Sequence, residues 1–374
     1  MPLNFGTALF LIANHSKMKN LAYIFLLVLF FSCNREKEYD VRTRVMNDSI
    51  QYYSSLSQDS TLSFLKKKEA VNRALEISRH ADNREVFSQL AYQKSWFLYS
   101  SMKYDSLEAF HKLLEEDSLM VMDTYYMAKQ YYLMGYYYER IAKNSDSAFK
   151  NYNSSKRYYQ KYGDSSWTGR NLSNMDIIQK DQNDFFGSKE TLTEALQYLQ
   201  TPKDLKYISS SYATLGTNHR KLLNFADAVE YYNKAIATSS ADEDILIYKN
   251  NLAVTYIDDK QYDKAISLLE KILKDSLLID NKDEYARVLD NLAYAKFLSG
   301  KEDKVDSLLK ALEMRIQNND ERGLIASYTH LGEFYSKNNP KKAKSYFNEV
   351  ITLSKTIKKP LAEKDALKFL MQLE

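Results

Sequence analysis

The chain has 374 residues but only one cysteine, four prolines, nine glycines and five histidines. Because Cys33 stands alone, an internal disulfide is excluded, and so is a metal site that needs a pair of cysteines. The histidines show no metal-ligand spacing, and an HExxH motif, a phosphate-binding P-loop and a GxSxG motif are all lacking. We therefore expect no enzymatic activity, no metal and no cofactor.

A large net charge is also lacking. The chain carries 52 Lys and Arg residues against 49 Asp and Glu, a net charge of +3. Residues 1–32 contain Lys17 and Lys19 and no acidic residue, so without them 50 basic residues remain and the net charge is +1. A nearly neutral chain is not typical of proteins that bind nucleic acid or use a polybasic patch on a membrane.

Long apolar runs are absent after residue 31. The run at residues 21–31 follows Met18-Lys19 and ends at Ser32-Cys33. Eleven apolar residues are too few to span a bilayer and are typical of the core of a signal peptide. We predict that residues 1–33 are a signal peptide, that translation starts at Met18, and that a polar tether follows at residues 34–48.

An apolar run that ends directly at a cysteine resembles a bacterial lipoprotein signal. That resemblance implies cleavage before Cys33 and attachment of lipid, such as palmitate, to its side chain and new amino terminus. Phe30 and Phe31 are bulkier than the small residues usual at these positions. A plain secretory signal or an uncleaved anchor is the alternative.

A helical hairpin motif recurs through the second half of the chain. Gly216 is followed after twelve residues by Ala228, and the same step joins Ala253 to Ala265 and Ala293 to Val305. Small residues at such positions let two antiparallel helices approach closely. Repetition at 37 to 40 residues is the sequence signature of a stacked repeat protein. The motif resembles the tetratricopeptide repeat, a helix–turn–helix unit, and it is clearest over residues 204–358.

This resemblance implies an all-α fold, a right-handed superhelical solenoid of about seven to eight hairpins with a C-terminal capping helix. We predict a single solenoid over residues 49–374, with the cap at 361–373. The three later prolines are expected where helices stop, and Gly135, Gly216 and Gly332 at the close-packing position. The predicted hairpins lie near residues 49–80, 84–117, 122–162, 165–200, 204–240, 244–279, 283–318 and 322–358.

In the resembled family, the first helix of each hairpin lines a concave groove that binds peptides. Transferring the groove positions to this sequence predicts a peptide-binding surface of Trp167, Arg170, Asn171, Asn174, Asn250, Asn251, Arg287, Asp290, Asn291, Tyr294, His330 and Glu333. Asn171, Asn251 and Asn291 share one position and form a predicted ladder that could pair with an extended backbone. Alternatively, each asparagine satisfies a local backbone group. Only Asn174 fits the carboxylate-clamp subclass, so a C-terminal carboxylate is not the expected ligand.

The leading hypothesis is a lipid-anchored adaptor that faces the periplasm and binds another envelope protein or peptide through its concave face. Its composition resembles that of Bacteroidetes lipoproteins, and Asn34 after the cysteine favours the outer membrane over the inner one. One alternative is the sensor half of a regulator that joins such repeats to a helix-turn-helix domain. A second is a surface glycan-binding lipoprotein, although Trp96 and Trp167 are the only tryptophans.

Overall fold

The computed structural model describes residues 44–81, 84–278, 281–301 and 305–373. All regular structure in these residues is helical, and two short 3₁₀ segments occur at Pro202–Asp204 and Ser276–Leu278. The helices are α1 (44–58), α2 (Phe64–His80), α3 (Arg84–Ser100), α4 (Tyr104–Glu116), α5 (Ser118–Met122), α6 (Thr124–Arg140), α7 (Ser145–Tyr162), α8 (Ser165–Asp181), α9 (Phe185–Tyr198), α10 (Leu205–Lys221), α11 (Phe225–Thr238), α12 (Asp242–Asp258), α13 (Tyr262–Ile272), α14 (Lys282–Leu298), α15 (Asp306–Gln317), α16 (Glu321–Tyr335), α17 (Pro340–Thr356) and α18 (Pro360–Gln372).

The helices pack as consecutive hairpins, as the sequence predicted. In the second half, α8 pairs with α9, α10 with α11, α12 with α13, α14 with α15 and α16 with α17. The second helix of each pair packs against the first helix of the next, and the first helices also contact one another, so that they form one layer. Helix α18 packs on α17 and ends the stack as the predicted cap. The all-α solenoid fold is therefore confirmed.

The chain divides into two compact units, a division that the repeat spacing does not reveal. The first unit ends at Gly163 and contains α1 to α7, and the second begins at Asp164 and contains α8 to α18. Gly163 closes α7 with a φ of 94°, in the left-handed region that a helix-ending glycine favours. Among the described residues, no helix combines the length and apolarity needed to cross a membrane.

The predicted tether at 34–48 is wrong for residues 44–48, which belong to α1. The cause is tertiary packing: Ile50 of this helix is only 5% exposed and packs with Ala74 and Leu90. A polar composition therefore did not prevent helix formation, because one apolar face found a partner. The predicted signal peptide and Cys33 lie outside the described residues.

In three hairpins a glycine of the first helix packs against a ring of the second: Gly135 on Tyr152, Gly216 on Tyr232 and Gly332 on Phe347. A Cβ atom at Gly135 would lie 2.6 Å from the Tyr152 ring, and one at Gly216 would lie 3.0 Å from the Tyr232 ring. Both rings are fully buried. Gly135 and Gly216 were predicted to allow close approach of two helices. This is confirmed, because a side chain at either glycine would occupy the space of the ring.

The three later prolines follow the ends of α9, α16 and α17, as expected. Pro340 and Pro360 also occupy the first turns of α17 and α18, and Pro202 opens a 3₁₀ segment. Proline suits the first turn of a helix because its missing N–H has no partner to lose there. Gly169 lies inside α8, where a Cβ atom would meet Leu199 at 2.6 Å.

We expect Gly332→Ala to lower the free energy of unfolding by roughly 1–2 kcal/mol, although alanine is the better helix former by about 1 kcal/mol. The new Cβ would lie 2.5 Å from Phe347, whose fully buried ring stacks on Phe369 at a centroid distance of 5.0 Å. Chemical denaturation measures the change. Ser210→Ala, on the exposed side of α10, is the control and should stay within about 0.5 kcal/mol. An equal or higher stability of the Gly332 variant would contradict the close packing of Gly332 against Phe347.

Candidate functional site

The predicted surface residues at the start of α8 are tied to the packing of the helices. The Arg170 guanidinium donates a hydrogen bond of 3.0 Å to Asp204 and lies over the rings of Trp167 and Tyr207, at 5.1 and 4.8 Å from their centroids. Asp204 is fully buried. Burial raises its pKa, but hydrogen bonds from Ser166, Thr201 and Arg170 outweigh burial and hold the pKa below its ordinary value. Arg170 thus braces α8 against the segment before α10.

The asparagine ladder is not arranged as predicted. Asn171 is fully buried, and its amide donates to the backbone oxygen of Trp167, one turn earlier, at 2.8 Å. Asn291 donates to the side-chain oxygen of Asn250 at 2.9 Å, and these two residues are 8% and 1% exposed. The expectation that Asn171, Asn250 and Asn291 face an open groove therefore fails, because all three side chains are buried. Asn174 and Asn251 are half-buried.

Asp290 lies at the centre of a buried ionic network instead of on a surface. It accepts hydrogen bonds from Arg315 at 3.1 Å and from Ser327 at 3.2 Å, and its other contact is His330 Nδ1 at 2.9 Å. Arg315 is only 2% exposed. Burial raises the pKa of Asp290, yet the charges of His330 and Arg315 outweigh burial and hold the pKa below its ordinary value. The network joins α14, α15 and α16.

Three other predicted residues lie beside this network. The rings of Tyr294 and His330 stack with centroids 3.8 Å apart, and the Tyr294 hydroxyl donates to Glu333 at 2.9 Å. Burial raises the pKa of Glu333, against the opposing effects of Tyr294 and His330. Arg287 is 43% exposed in its side chain and pairs with Glu284 at 3.1 Å. Of the predicted set, the structure thus brings Asp290, Tyr294, His330 and Glu333 into one cluster across α14 and α16.

The buried carboxyl group of Asp176 was not singled out from the sequence. Asp176 of α8 accepts a hydrogen bond from Ser188 of α9, and Asn218 of α10 donates to the Ser188 hydroxyl at 2.5 Å. Asp176 has no cation at ion-pair distance among the described residues. Burial therefore raises its pKa to about 6, against the weaker opposing effects of Ser188 and Lys180.

The first unit presents an exposed aromatic surface on α3 and α6; the repeat positions place Tyr132 and Tyr136 of α6 on the groove side, whereas the α3 residues were not predicted. Tyr92, Trp96 and Tyr99 follow one another on α3 at i, i+4 and i+7, and Tyr132 and Tyr136 lie on α6. Trp96 stacks on Tyr99 at 5.6 Å, and Tyr99 meets Tyr136 edge-on at 6.0 Å. Trp96 is 51% exposed and Tyr136 is 38% exposed. We call these five residues the aromatic face; their helical spacing was a readable signal.

A cation lies beside the aromatic face. The Lys129 ammonium lies 4.5, 5.2 and 5.5 Å from the ring centroids of Tyr92, Tyr125 and Tyr126. Burial lowers the pKa of Lys129. Tyr125 and Tyr126 also line an open groove of about 850 Å³, together with Arg84, Glu85 and other residues. The rings hold the lysine over their negative faces, so positive charge and aromatic surface lie side by side.

Within the described ranges, no group of three or more His, Cys, Asp or Glu side chains is arranged to hold a metal ion.

The tetratricopeptide repeat family model matches residues 246–276, which cover most of α12 and all of α13. Among solved structures, the apo form of RapI is 14% identical with a TM-score of 0.59, and the alignment covers 73% of this chain and 99% of RapI. The apo form of the quorum sensor NprR from B. thuringiensis is 12% identical with a TM-score of 0.53, over 83% of this chain and 88% of NprR. No curated protein sequence matches the chain significantly. At these identities the likeness shows the fold, a tetratricopeptide-like helical solenoid.

The raised pKa of Asp176 predicts an unusual pH dependence of stability. The folded state holds the proton of the Asp176 carboxyl group more tightly than the unfolded chain does, where the pKa of this group is 3.8. The native protein therefore loses stability as the pH rises from about 4 to about 6. Asp176→Asn keeps an uncharged partner for Ser188. We expect this variant to be more stable than the native protein by about 2–3 kcal/mol at pH 8 and nearly equal to it at pH 4.

Urea unfolding of both proteins at several pH values measures this difference. The control is Asp146→Asn, which removes an exposed carboxylate from the first turn of α7 and should show no gain that grows with pH. A native protein that is more stable than the Asp176 variant at pH 8 would contradict the assignment.

Proposed function

We propose that this protein is a lipid-anchored, periplasm-facing adaptor that holds a segment of another envelope protein against its aromatic face. The exposed pair Trp96 and Tyr136 is the observation that carries the proposal. Tyrosine and tryptophan dominate the energetics of protein interfaces because they bury a large area and lose few rotamers on binding. Here they lie on first helices, the layer from which related folds present their binding residues.

The shape of the surroundings favours an extended protein segment over a small molecule. The groove lined by Tyr125 and Tyr126 is open and has a volume of about 850 Å³, near the upper end of ordinary ligand sites. Arg84, Glu85 and Asp123 line the same groove and offer both donors and acceptors to a peptide backbone. A bound segment could thus lay apolar side chains on the rings and its polar groups on the groove wall.

Sugar rings also stack on exposed aromatic side chains, so Trp96 supports a glycan-binding alternative as well. Glycan-binding proteins of that kind carry their aromatic platforms on loop insertions. The described connections between paired helices are short, for example 141–144, 182–184 and 222–224, and the aromatic face lies on the helices themselves. We therefore favour a protein partner.

The proposed location rests on the sequence of the leader. An apolar run that ends at Cys33 supports lipid attachment there, and the polar residues that follow would connect the anchor to α1. A diacylated amino terminus supplies two chains, which anchor a protein stably where one chain is marginal. The near-neutral charge of the remainder agrees with anchoring by lipid and not by basic residues.

We expect the double variant Trp96→Ala with Tyr136→Ala to lose the partner. The test is crosslinking in intact cells, followed by purification of the protein and identification of what is captured, at matched abundance. One envelope protein should be captured by the native chain and reduced at least tenfold in the variant, because truncation of each central aromatic residue costs about 1–2 kcal/mol or more.

The matched control replaces exposed apolar side chains on second helices, Leu113→Ala on α4 with Phe186→Ala on α9, which are 66% and 58% exposed. This control should capture the partner as the native protein does. Equal loss in both double variants, or unchanged capture by the aromatic-face variant, would refute the proposed surface. Loss of binding to purified glycans instead would support the sugar-binding alternative.

The anchor has its own test. We expect Cys33→Ser to abolish incorporation of a labelled fatty acid and to leave the unprocessed precursor in place of the mature form, because the thiol is the attachment point for the lipid. Metabolic labelling, mass spectrometry of the amino terminus and membrane fractionation measure these changes. A Cys33→Ser protein that is processed and fractionates like the native one would show that the leader is a plain secretory signal.

A further inference from the structure

The second unit contains a cavity of about 280 Å³ where the C-terminal cap approaches the turns that follow α8 and α10. Its lining comes from residues far apart in the sequence, including Asn183, Lys221, Ile325 and Leu361. Lys359, just before α18, lies 3.5 Å from Asp181 at the end of α8, 178 residues away in the chain. The cavity is therefore formed only when the cap meets the beginning of its own unit.

Positive charge dominates the polar part of this lining. Lys221, Arg322 and Lys359 contribute three cations, and Asp365 is the one carboxylate among the lining residues. Neither Lys221 nor Arg322 makes an ion pair with a described residue. Desolvation and the charge of Arg220 lower the pKa of Lys221, against the weaker opposing effects of Asp258 and Asp365. Lys359 makes its long contact with Asp181, whose side chain is 59% exposed.

The other half of the lining is apolar. Five of the ten lining residues are Phe185, Ile325, Ile357, Leu361 and Ala362. A bare inorganic anion would pair with the cations but leave this apolar wall against water. An organic anion with an apolar group would cover the wall and gain about 25 cal/mol for each Å² that it removes from water.

The start of α18 adds to the attraction for an anion. Leu361 and Ala362 belong to the first turn of this helix, and the residue before it, Lys359, provides no side-chain cap for the free backbone N–H groups. The helix is thirteen residues long, so its dipole places partial positive charge at this end. This effect reinforces the side-chain cations and does not stand alone.

We propose that the cavity binds a small organic monocarboxylate whose apolar part is about the size of a leucine side chain. The carboxylate would pair with Lys221 and Arg322, and the apolar part would lie against Phe185, Ile325 and Ile357. A volume of about 280 Å³ limits the ligand to a small molecule. Asp365 repels a second negative charge, so a monoanion fits better than a phosphate dianion. This site is separate from the aromatic face and does not depend on the proposed adaptor function.

The test titrates the full chain with 4-methylpentanoate, its neutral isostere 4-methylpentanamide, and inorganic phosphate. Calorimetry measures affinity, and NMR of isoleucine methyl groups locates the ligand. We expect 4-methylpentanoate to bind and to shift the methyl signals of Ile325 and Ile357, and the amide and phosphate to bind at least tenfold more weakly. Absence of 4-methylpentanoate binding, or equal binding of the amide or of phosphate, would overturn the proposal.

The charge requirement is tested with Lys221→Gln and Arg322→Gln together. This variant should bind 4-methylpentanoate at least tenfold more weakly, with an unchanged circular dichroism spectrum and melting temperature. The matched control is Lys274→Gln with Lys310→Gln, two exposed lysines outside the cavity, which removes the same charge and should keep native affinity. If both variants lose affinity equally, the effect is one of net charge and the cavity is not the site. Should the cavity variant keep native affinity, the two cations are not the carboxylate partners.

Discussion

Close approach of two helices at one small residue is the constraint on which the rest of the structure depends. The Cα atoms of Gly135 and Gly216 face the buried rings of Tyr152 and Tyr232 at distances that leave no room for a side chain. The ring fills the space that a Cβ would need, so the two helices of each hairpin have one preferred crossing geometry. A hairpin alone still exposes one apolar side, which is covered when the next first helix packs on it.

Polar networks give the stack its second kind of constraint. Asp290 with His330, and Asn250 with Asn291, join neighbouring first helices, and Arg315 ties the second helix α15 to the first of these pairs. An apolar contact at these positions would allow the helices to shift along one another. Buried charge pairs add little net stability, because desolvation offsets most of their attraction. Their geometry is specific, however, and an unpaired member would be costly. We infer that these networks fix the register between repeats more than they increase stability.

The repeat architecture could be predicted from sequence because it depends on local spacing. Small residues that recur at a constant spacing, together with an aromatic ring on the following helix, predict a hairpin. The predicted binding residues depend instead on the rotation of each helix about its axis, and one residue corresponds to about 100° of rotation. Asn250 is buried while Asn251 is half-buried, so an error of one position exchanges a surface residue for an interior one. Groove positions transferred from the tetratricopeptide repeat do not correct such an error, because the repeats of this chain are longer than the usual unit.

The aromatic face escaped prediction for a different reason. With 31 tyrosines in the chain, most rings fill space between helices, as Tyr152, Tyr159 and Tyr232 do, and an exposed ring does not stand out by composition. Trp96 and Tyr136 differ from those rings because they contact Tyr99 and still leave 51% and 38% of their area exposed. The exposed part of such a ring gains stability only by covering another surface. Lys221 and Arg322 lie beside apolar side chains in the same way and make no ion pair with a described residue, which is why we propose an anionic ligand there.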